Sequence, residues 1–222
     1  MGKLIIIEGL DGSGKSTQTD ILAERLDKAG IAVRTVSFPN YDSDSSALVK
    51  MYLRGDFGKK PDDVNAYAAS LFYAVDRYAS FASDWAEHYK NGGTVVAARY
   101  TTSNAIHQTS KLPRSEWDGY LAWLTETEFV KMGLPSPDLV IFLDMPTEVS
   151  QRMMTARYKG NEEMKDIHER DVAYLESCRK AAAYIAEKYG WLVISCAENG
   201  EPRTREDISD EIFAAVLREI KE

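Results

Sequence analysis

Eight consecutive residues constrain this chain more than any others: Gly9-Leu10-Asp11-Gly12-Ser13-Gly14-Lys15-Ser16, set directly behind the apolar run Leu4 to Ile7. They match the spacing Gly-x-x-x-x-Gly-Lys-Ser/Thr, in which each fixed position has a physical task. Glycines open backbone angles closed to other residues, so successive N–H groups converge on an anion. Lys15 is placed to reach the outer phosphates of a nucleotide, and the Ser16 hydroxyl to ligate Mg²⁺. A helix beginning near Ser16 turns its positive end toward the same anion. The alternative is a glycine-rich turn that holds no ligand. The β-branched strand before the loop and the helical spacing after it (Ile21, Leu22 and Leu26, closed by Gly30) favour the phosphate loop.

The first strand is expected over Lys3–Glu8. Further segments of the same kind are Ala32–Phe38, Thr94–Ala98, Leu139–Asp144 and Leu192–Ser195. Each is short, apolar and mostly β-branched, and helical patterns separate them, as in buried parallel strands. The expected architecture is α/β: a five-stranded parallel sheet with helices on both faces and ligands at the carboxyl ends of the strands. The chain has 222 residues and shows no repeat, low-complexity tract or linker, so residues 1–222 read as one domain. A net charge of −8 argues against general nucleic-acid binding but leaves room for a local anion site. No apolar run approaches the roughly 18 residues that span a bilayer, and no signal-peptide pattern precedes the first strand. A cytoplasmic protein without a membrane partner is therefore expected. Cys178 and Cys196 lack metal-ligand and redox-pair spacing and read as reduced thiols.

Polar stations follow the strands. Phe38-Pro39-Asn40 and a polar loop, Tyr41–Ser46, come after the second. A long helix is expected from about Asp62 to Lys90, with Leu71, Val75, Tyr78, Ala82 and Trp85 as its buried face. Tyr73 and Arg77 lie one turn apart on another face, where a ring and a guanidinium can meet one ligand, or simply stack on each other. Arg99-Tyr100-Thr101-Thr102-Ser103-Asn104 stands at the end of the third strand, with His107 three residues beyond Asn104. Ser115–Lys131 reads as a helix with Trp117, Leu121, Leu124 and Phe129 in the core. Between Val149 and Tyr189 the pattern is helix, interruption, helix. The interruption carries Arg157 and Lys159, so a lid over about residues 153–170 is expected beside the phosphate site, the alternative being a solvated loop. A polar loop, Ala197–Arg205, and a last helix, Asp207–Lys221, complete the chain.

Taken together, Glu8-Gly9-Leu10-Asp11-Gly12-Ser13-Gly14-Lys15-Ser16-Thr17, Phe38-Pro39, Leu71–Arg77, Arg99-Tyr100, Ser103-Asn104 and Asp138–Asp144 resemble the thymidylate kinase family over essentially the whole chain. The resemblance implies a P-loop kinase that transfers phosphate from MgATP to dTMP and works as a homodimer. It implies that Gly9, Asp11, Gly12, Ser13, Gly14, Lys15, Ser16 and Thr17 form the ATP site, with Ser16 on the metal. Asp11 also matches a carboxylate that accepts a hydrogen bond from the sugar 3′-hydroxyl. An aromatic stacks on thymine: Tyr73 by its spacing from Arg77, or Phe72 by the Leu that precedes it. Arg77 donates to the base, and Arg99 grips the acceptor phosphate, a task suited to its bidentate fork. Phe38, Pro39, Ser103 and Asn104 complete the acceptor site, and His107 stands where many members carry Tyr or Phe. Gly12 resembles the bacterial type whose catalytic Arg comes from the lid, which points to Arg157.

One position departs from the pattern. After the third strand the family usually has Asp-Arg-Tyr or Asp-Arg-His; here the run is Ala98-Arg99-Tyr100. That Asp is expected to hold Mg²⁺ through water, and an alanine cannot, with Glu8 as a partial substitute. Two rival readings follow: a kinase for another deoxynucleotide or a deoxynucleoside, or a nucleotide-binding homologue without turnover.

Overall fold

A computed structural model describes residues 1–157, 168 and 171–221, with only the backbone of Arg157. The strands are β1 (Leu4–Gly9), β2 (Val33–Ser37), β3 (Thr94–Ala98), β4 (Leu139–Asp144), β5 (Leu192–Ser195), β6 (Ala197–Glu198) and β7 (Glu201–Pro202). The helices are α1 (Lys15–Lys28), α2 (Ala47–Arg54), α3 (Ala66–Ser80), α4 (Ala86–Lys90), α5 (Thr101–Thr109), α6 (Trp117–Thr125), α7 (Thr147–Arg157), α8 (Val172–Tyr189) and α9 (Arg205–Lys221).

The sheet is parallel throughout, in the order β2-β3-β1-β4-β5. β1 is central, and its alternate side chains enter different cores. Ile5 and Ile7 pack with Leu22 and Leu26 of α1 and with Ile208, Ile212 and Val216 of α9. Leu4 and Ile6 face the other way, against Trp85, Tyr89 and Tyr100. A third cluster joins Phe142 to α5, α6 and α8 through Ile106, Leu121, Leu124 and Ile185. Helices cover both faces, so β1 is apolar at every position before Glu8, and each buried Ile or Leu contributes about 1.5–3 kcal/mol. β2 and β5, expected to be buried like the rest, are the sheet's edges, and along them only Val36 and Ile194 are buried.

The expected helix over Asp62–Lys90 is a composite. A 3₁₀ turn (Pro61–Asp63) precedes α3, and a π-turn (Phe81–Trp85) separates α3 from α4. Its expected buried face is overturned for most of its length: Leu71, Val75 and Tyr78 are 44%, 51% and 48% exposed, and Ala82 is exposed too. The inward face instead carries Ala66, Ala69, Ser70, Ala74, Asp76 and Arg77, all buried. Small residues bring α3 close to α5, and the polar ones are satisfied within the protein, as the 2.7 Å hydrogen bond between Ser70 Oγ and the Tyr120 hydroxyl shows. Periodicity locates an apolar stripe but not what lies opposite it. Trp85 is buried as expected, because the wider π-turn shifts the phase of the helix just before it.

Ser115–Lys131 is likewise divided, into α6 and a π-turn (Glu126–Lys131). Leu121 and Leu124 are core, Trp117 and Phe129 are half-buried, and Glu128 is fully buried. Within the expected loop Ala197–Arg205, β6 and β7 form a short antiparallel hairpin through Asn199 and Gly200, both at positive φ. Most of the expected lid, residues 158–167 and 169–170, lies outside the described residues. Among those that are described, no helix is long and apolar enough to cross a membrane.

Candidate functional site

β1 delivers the chain to the loop at the carboxyl edge of the sheet. Two glycines there have no substitute. Gly12 sits at φ 79°, and a Cβ on it would come within 2.9 Å of the Ser150 carbonyl oxygen in α7. Gly14 sits at φ 89° and leads into α1. The loop folds over Lys15, whose buried ammonium donates to Leu10 O at 2.7 Å and lies 4.0 Å from Asp11 Oδ1. Ser13 Oγ is buried with no protein partner among the described residues, an orphaned hydroxyl at an anion-binding loop. Ser16 is exposed and lines the cleft, as Thr17 does.

The cleft has a volume of about 380 Å³ and extends from this loop across the ends of β2 and β3 to α3 and α5. At its phosphate end stands Arg99, in the left-handed region at φ 66°, costly for a residue with a Cβ. Its Nη2 is paired with Asp11 Oδ1, while Nη1 lies 3.8 Å from Glu8 Oε1 and donates to Ser103 Oγ at 3.4 Å. Burial opposes charge on Asp11, but Arg99 and Lys15 outweigh it and hold the carboxyl well below its usual range. Burial likewise opposes charge on Arg99, and Asp11 and Glu8 outweigh it. Glu8 is fully buried and accepts from Gly9 N–H at 3.0 Å, from Thr102 Oγ1 at 2.7 Å and from Ser103 Oγ at 2.8 Å. Ala98 lines the cleft between Ile7 and Ser37, its register partners on either side.

The far end is aromatic and neutral in sum. Tyr73 lines the cleft; Phe72 does not, and packs instead on Tyr52 and Phe57 at ring separations of 6.5 and 5.6 Å. Arg77 lines the cleft and is 1% exposed, yet two of its nitrogens are committed to Glu128, at 2.7 Å from Nε and 2.5 Å from Nη2. Burial would lower the Arg77 pKa, but the Glu128 carboxylate raises it, so the guanidinium stays charged. Phe38, Pro39, Tyr41, Asn104 and Gln108 line the walls. Asp76 pins the Pro39–Ser46 side, accepting from Asn40 N–H at 2.8 Å and from Ser45 Oγ at 2.6 Å. Asp138 ties β4 to β1 by accepting from Leu4 N–H at 2.7 Å, and Asp144 pairs with Arg179 at 3.0 Å, both away from the cleft.

Between the two ends lie His107 and His168, stacked at 5.6 Å with their planes 13° apart. His107 Nε2 lies 3.5 Å from Arg99 Nη1, and His168 Nε2 is 2.9 Å from the Tyr52 hydroxyl. Burial, with nearby cations, keeps both rings neutral, pushing His107 well below its usual range and His168 down to about 3. A histidine whose folded pKa is lowered takes up its proton first in the unfolded chain. Its contribution to stability is therefore complete above about pH 6.5 and is lost as pH falls toward the folded value. The protein is expected to lose about 1.4 kcal/mol per pH unit for each of these rings below pH 6.5. Unfolding midpoints measured from pH 7 to pH 4.5 check this: the double variant His107→Phe/His168→Phe is expected to flatten the slope, and an unchanged slope would contradict it.

The site residues expected from sequence fall into three groups. Asp11, Gly12, Gly14, Lys15, Ser16, Thr17, Phe38, Pro39, Tyr73, Arg77, Arg99, Ser103, Asn104 and His107 are brought together around one cleft. Gly9, Ser13 and Phe72 are not on its wall. Arg157 ends α7, and its side chain lies outside the described residues. Sequence reasoning missed Gln108, which follows Asn104 by one turn, and Glu128, a charged residue on the apolar stripe of Leu121 and Leu124. His168 carried no local signal.

Comparison with known proteins agrees with this geometry. The model of the family described as thymidylate kinase matches residues 7–208. A Mycobacterium tuberculosis protein named thymidylate kinase is 30% identical over 203 residues, covering 86% of this chain and 90% of its own length. A probable thymidylate kinase of Methanothermobacter thermautotrophicus is 30% identical over 207 residues, covering 92% and 91%. Among solved structures, thymidylate kinase from Candida albicans superposes with a TM-score of 0.72 at 20% identity, covering 100% of this chain and 94% of the other, which is a likeness of fold.

Proposed function

This chain belongs to the thymidylate kinase family and is a nucleoside monophosphate kinase acting on dTMP; we propose that it uses magnesium-bound ATP and works in the cleft between Lys15 and Tyr73. The observation that carries this reading is the polarity of the cleft. At one end the glycine-rich loop, Lys15 and Arg99 stand together with Asp11 and Glu8 beside them, whereas the other end is walled by Tyr73, and its cation, Arg77, is bound along one edge by Glu128. A nucleoside monophosphate has the same polarity, with a dianion at one end and a neutral ring at the other.

The base end also discriminates. Asn104 donates one of its two amide N–H groups to Ser70 O, which orients the amide and leaves its carbonyl oxygen available as an acceptor. Arg77 keeps Nη1, with a 3.4 Å contact to Tyr100 O, and the second N–H of Nη2 as donors. A ring edge with one carbonyl and one N–H, as in thymine, satisfies both. A 4-aminopyrimidine presents the opposite pattern and leaves buried groups unpaired.

Transfer then needs little covalent work from the protein. The attacking phosphate oxygen is already anionic, so no general base is required, and catalysis rests on positioning and charge stabilisation. Lys15 and the loop N–H groups neutralise the donor phosphates, Arg99 orients the acceptor phosphate, and Arg157 from the lid side adds charge to the transferring group. Asp11, which shares Arg99, places the sugar. The Ser16 hydroxyl, an exposed hard oxygen at the loop, would hold magnesium, which would supply positive charge against the phosphates. The enzyme works in the cytoplasm as a homodimer. The exposed stripe Leu71, Val75 and Tyr78 on α3 supports the second part, since an apolar helix face of this kind is normally covered.

Ala98 marks where turnover is limited. Glu8 already accepts hydrogen bonds from Gly9, Thr102 and Ser103, so its carboxylate is spent on the fold, and Ser16 is left as the protein's oxygen for the ion. Ala98→Asp adds a second. One positioning group at a preorganised site is commonly worth ~10²–10³ in rate, so the variant is expected to turn over faster, with a lower magnesium requirement. Turnover of both proteins with saturating dTMP and ATP across a magnesium titration checks this. Identical curves would mean another group holds the ion.

A further inference from the structure

We propose that Glu128 is a specificity-positioning residue: it locks the Arg77 guanidinium so that the edge carrying Nη1 faces the acceptor base, and it cancels the charge that would otherwise let a phosphate bind at that end. The proposal rests on the reading of Arg77 as the base-edge donor. Glu128 is 0% exposed and lies in the π-turn after α6, far in sequence from every loop that lines the cleft. Its carboxylate accepts three hydrogen bonds: Arg77 Nε at 2.7 Å, Arg77 Nη2 at 2.5 Å and Thr101 Oγ1 at 2.7 Å.

A planar fork held on one edge by both oxygens of a carboxylate cannot rotate without breaking two charge-assisted bonds. The opposite edge, Nη1 with the second N–H of Nη2, is therefore fixed in one direction. Thr101 adds a third strap, and it comes from the first turn of α5, the helix that also carries Asn104. The donor on Arg77 and the acceptor on Asn104 are thus referenced to one element. The charge argument is separate. An unpaired guanidinium buried in a cleft attracts an anion strongly, and the acceptor's phosphate would then have two competing docks, Arg99 and Arg77. With Glu128 in place the pair is neutral in sum, and an anion meets no uncompensated buried charge at that end.

The test compares Glu128→Gln, which keeps shape and loses charge, with Arg77→Lys, which keeps charge and loses the fork. Steady-state kinetics are measured with dTMP and dCMP as acceptors, and thermal unfolding is followed alongside. For Glu128→Gln the KM for dTMP is expected to rise about 5- to 150-fold, and the preference for dTMP over dCMP to fall by a comparable factor, while the KM for ATP moves much less. Arg77→Lys is expected to lose the same preference. If Arg77→Lys loses it and Glu128→Gln keeps it, Glu128 only supports the fold and the proposal is overturned, with Arg77 still the base reader. If both variants keep it, the reading of Arg77 fails and takes the proposal with it. Should Glu128→Gln not fold, Thr101→Val decides, because it removes one strap and leaves the ion pair intact. A several-fold loss of preference would support the proposal, and an unchanged preference would overturn it.

Discussion

Replacing Lys15 with Ala is expected to leave a folded protein that has lost almost all phosphoryl transfer. The side chain is buried inside its own loop, and its hydrogen bond to Leu10 O is one that water can replace once the loop is open. Its ammonium is a positive charge fixed inside the glycine-rich loop. Negative charge there is shared among three oxygens during transfer, and a preorganised donor stabilises it without moving. Removal of one such group commonly costs ~10²–10³ in rate, or about 2.7–4 kcal/mol. Lys15 also opposes the Asp11 carboxylate at 4.0 Å, so its loss turns the local field negative and pushes the effect toward the upper end of that range. Single-turnover transfer with saturating ATP and dTMP, together with an unfolding curve, checks this. A folded variant with near-normal transfer would remove the loop from the catalytic account.

The second large effect concerns the choice of acceptor. In the proposed base end Arg77 donates and the Asn104 carbonyl accepts; both residues are buried, held by Glu128 and by Ser70 O. Thymine satisfies each of them. Cytosine turns its amino group toward a guanidinium and its bare ring nitrogen toward a carbonyl, so two buried groups lose their partners at once. At about 1–3 kcal/mol for each unsatisfied group, dTMP is expected to exceed dCMP by roughly 10²-fold or more in kcat/KM.

Much of this was legible in the residues. The five strands of the sheet were found within one or two positions because short β-branched runs ended by polar residues have few other uses. Gly12, Gly14 and Lys15 announced the loop because its backbone requires them. Failures came where a residue's partner lies far away in sequence. Leu71, Val75 and Tyr78 form a true apolar stripe, but the surface that α3 turns inward is built of Ala66, Ala69, Ser70 and Ala74, which a hydrophobicity pattern does not rank as core. The π-turn at Phe81–Trp85 then broke the helical phase, so one end of the stripe was placed correctly and the other was not. Arg77 was seen as a group for the ligand, yet one whole edge of its guanidinium belongs to Glu128, 51 positions later. Tyr73 and Phe72 could not be separated by spacing; the structure separates them, with Tyr73 on the cleft and Phe72 against Tyr52.

The account stands or falls on whether one cleft joins ATP to dTMP. The direct measurement is formation of ADP and of the diphosphate product, followed together, with ATP and each common nucleoside monophosphate in turn. The expected result is stoichiometric ADP and dTDP with dTMP as the best acceptor, dCMP at least about 10²-fold worse in kcat/KM, and a rate that rises when Ala98 is replaced with Asp. Preference for another monophosphate, or ADP released without a diphosphate product, would contradict it.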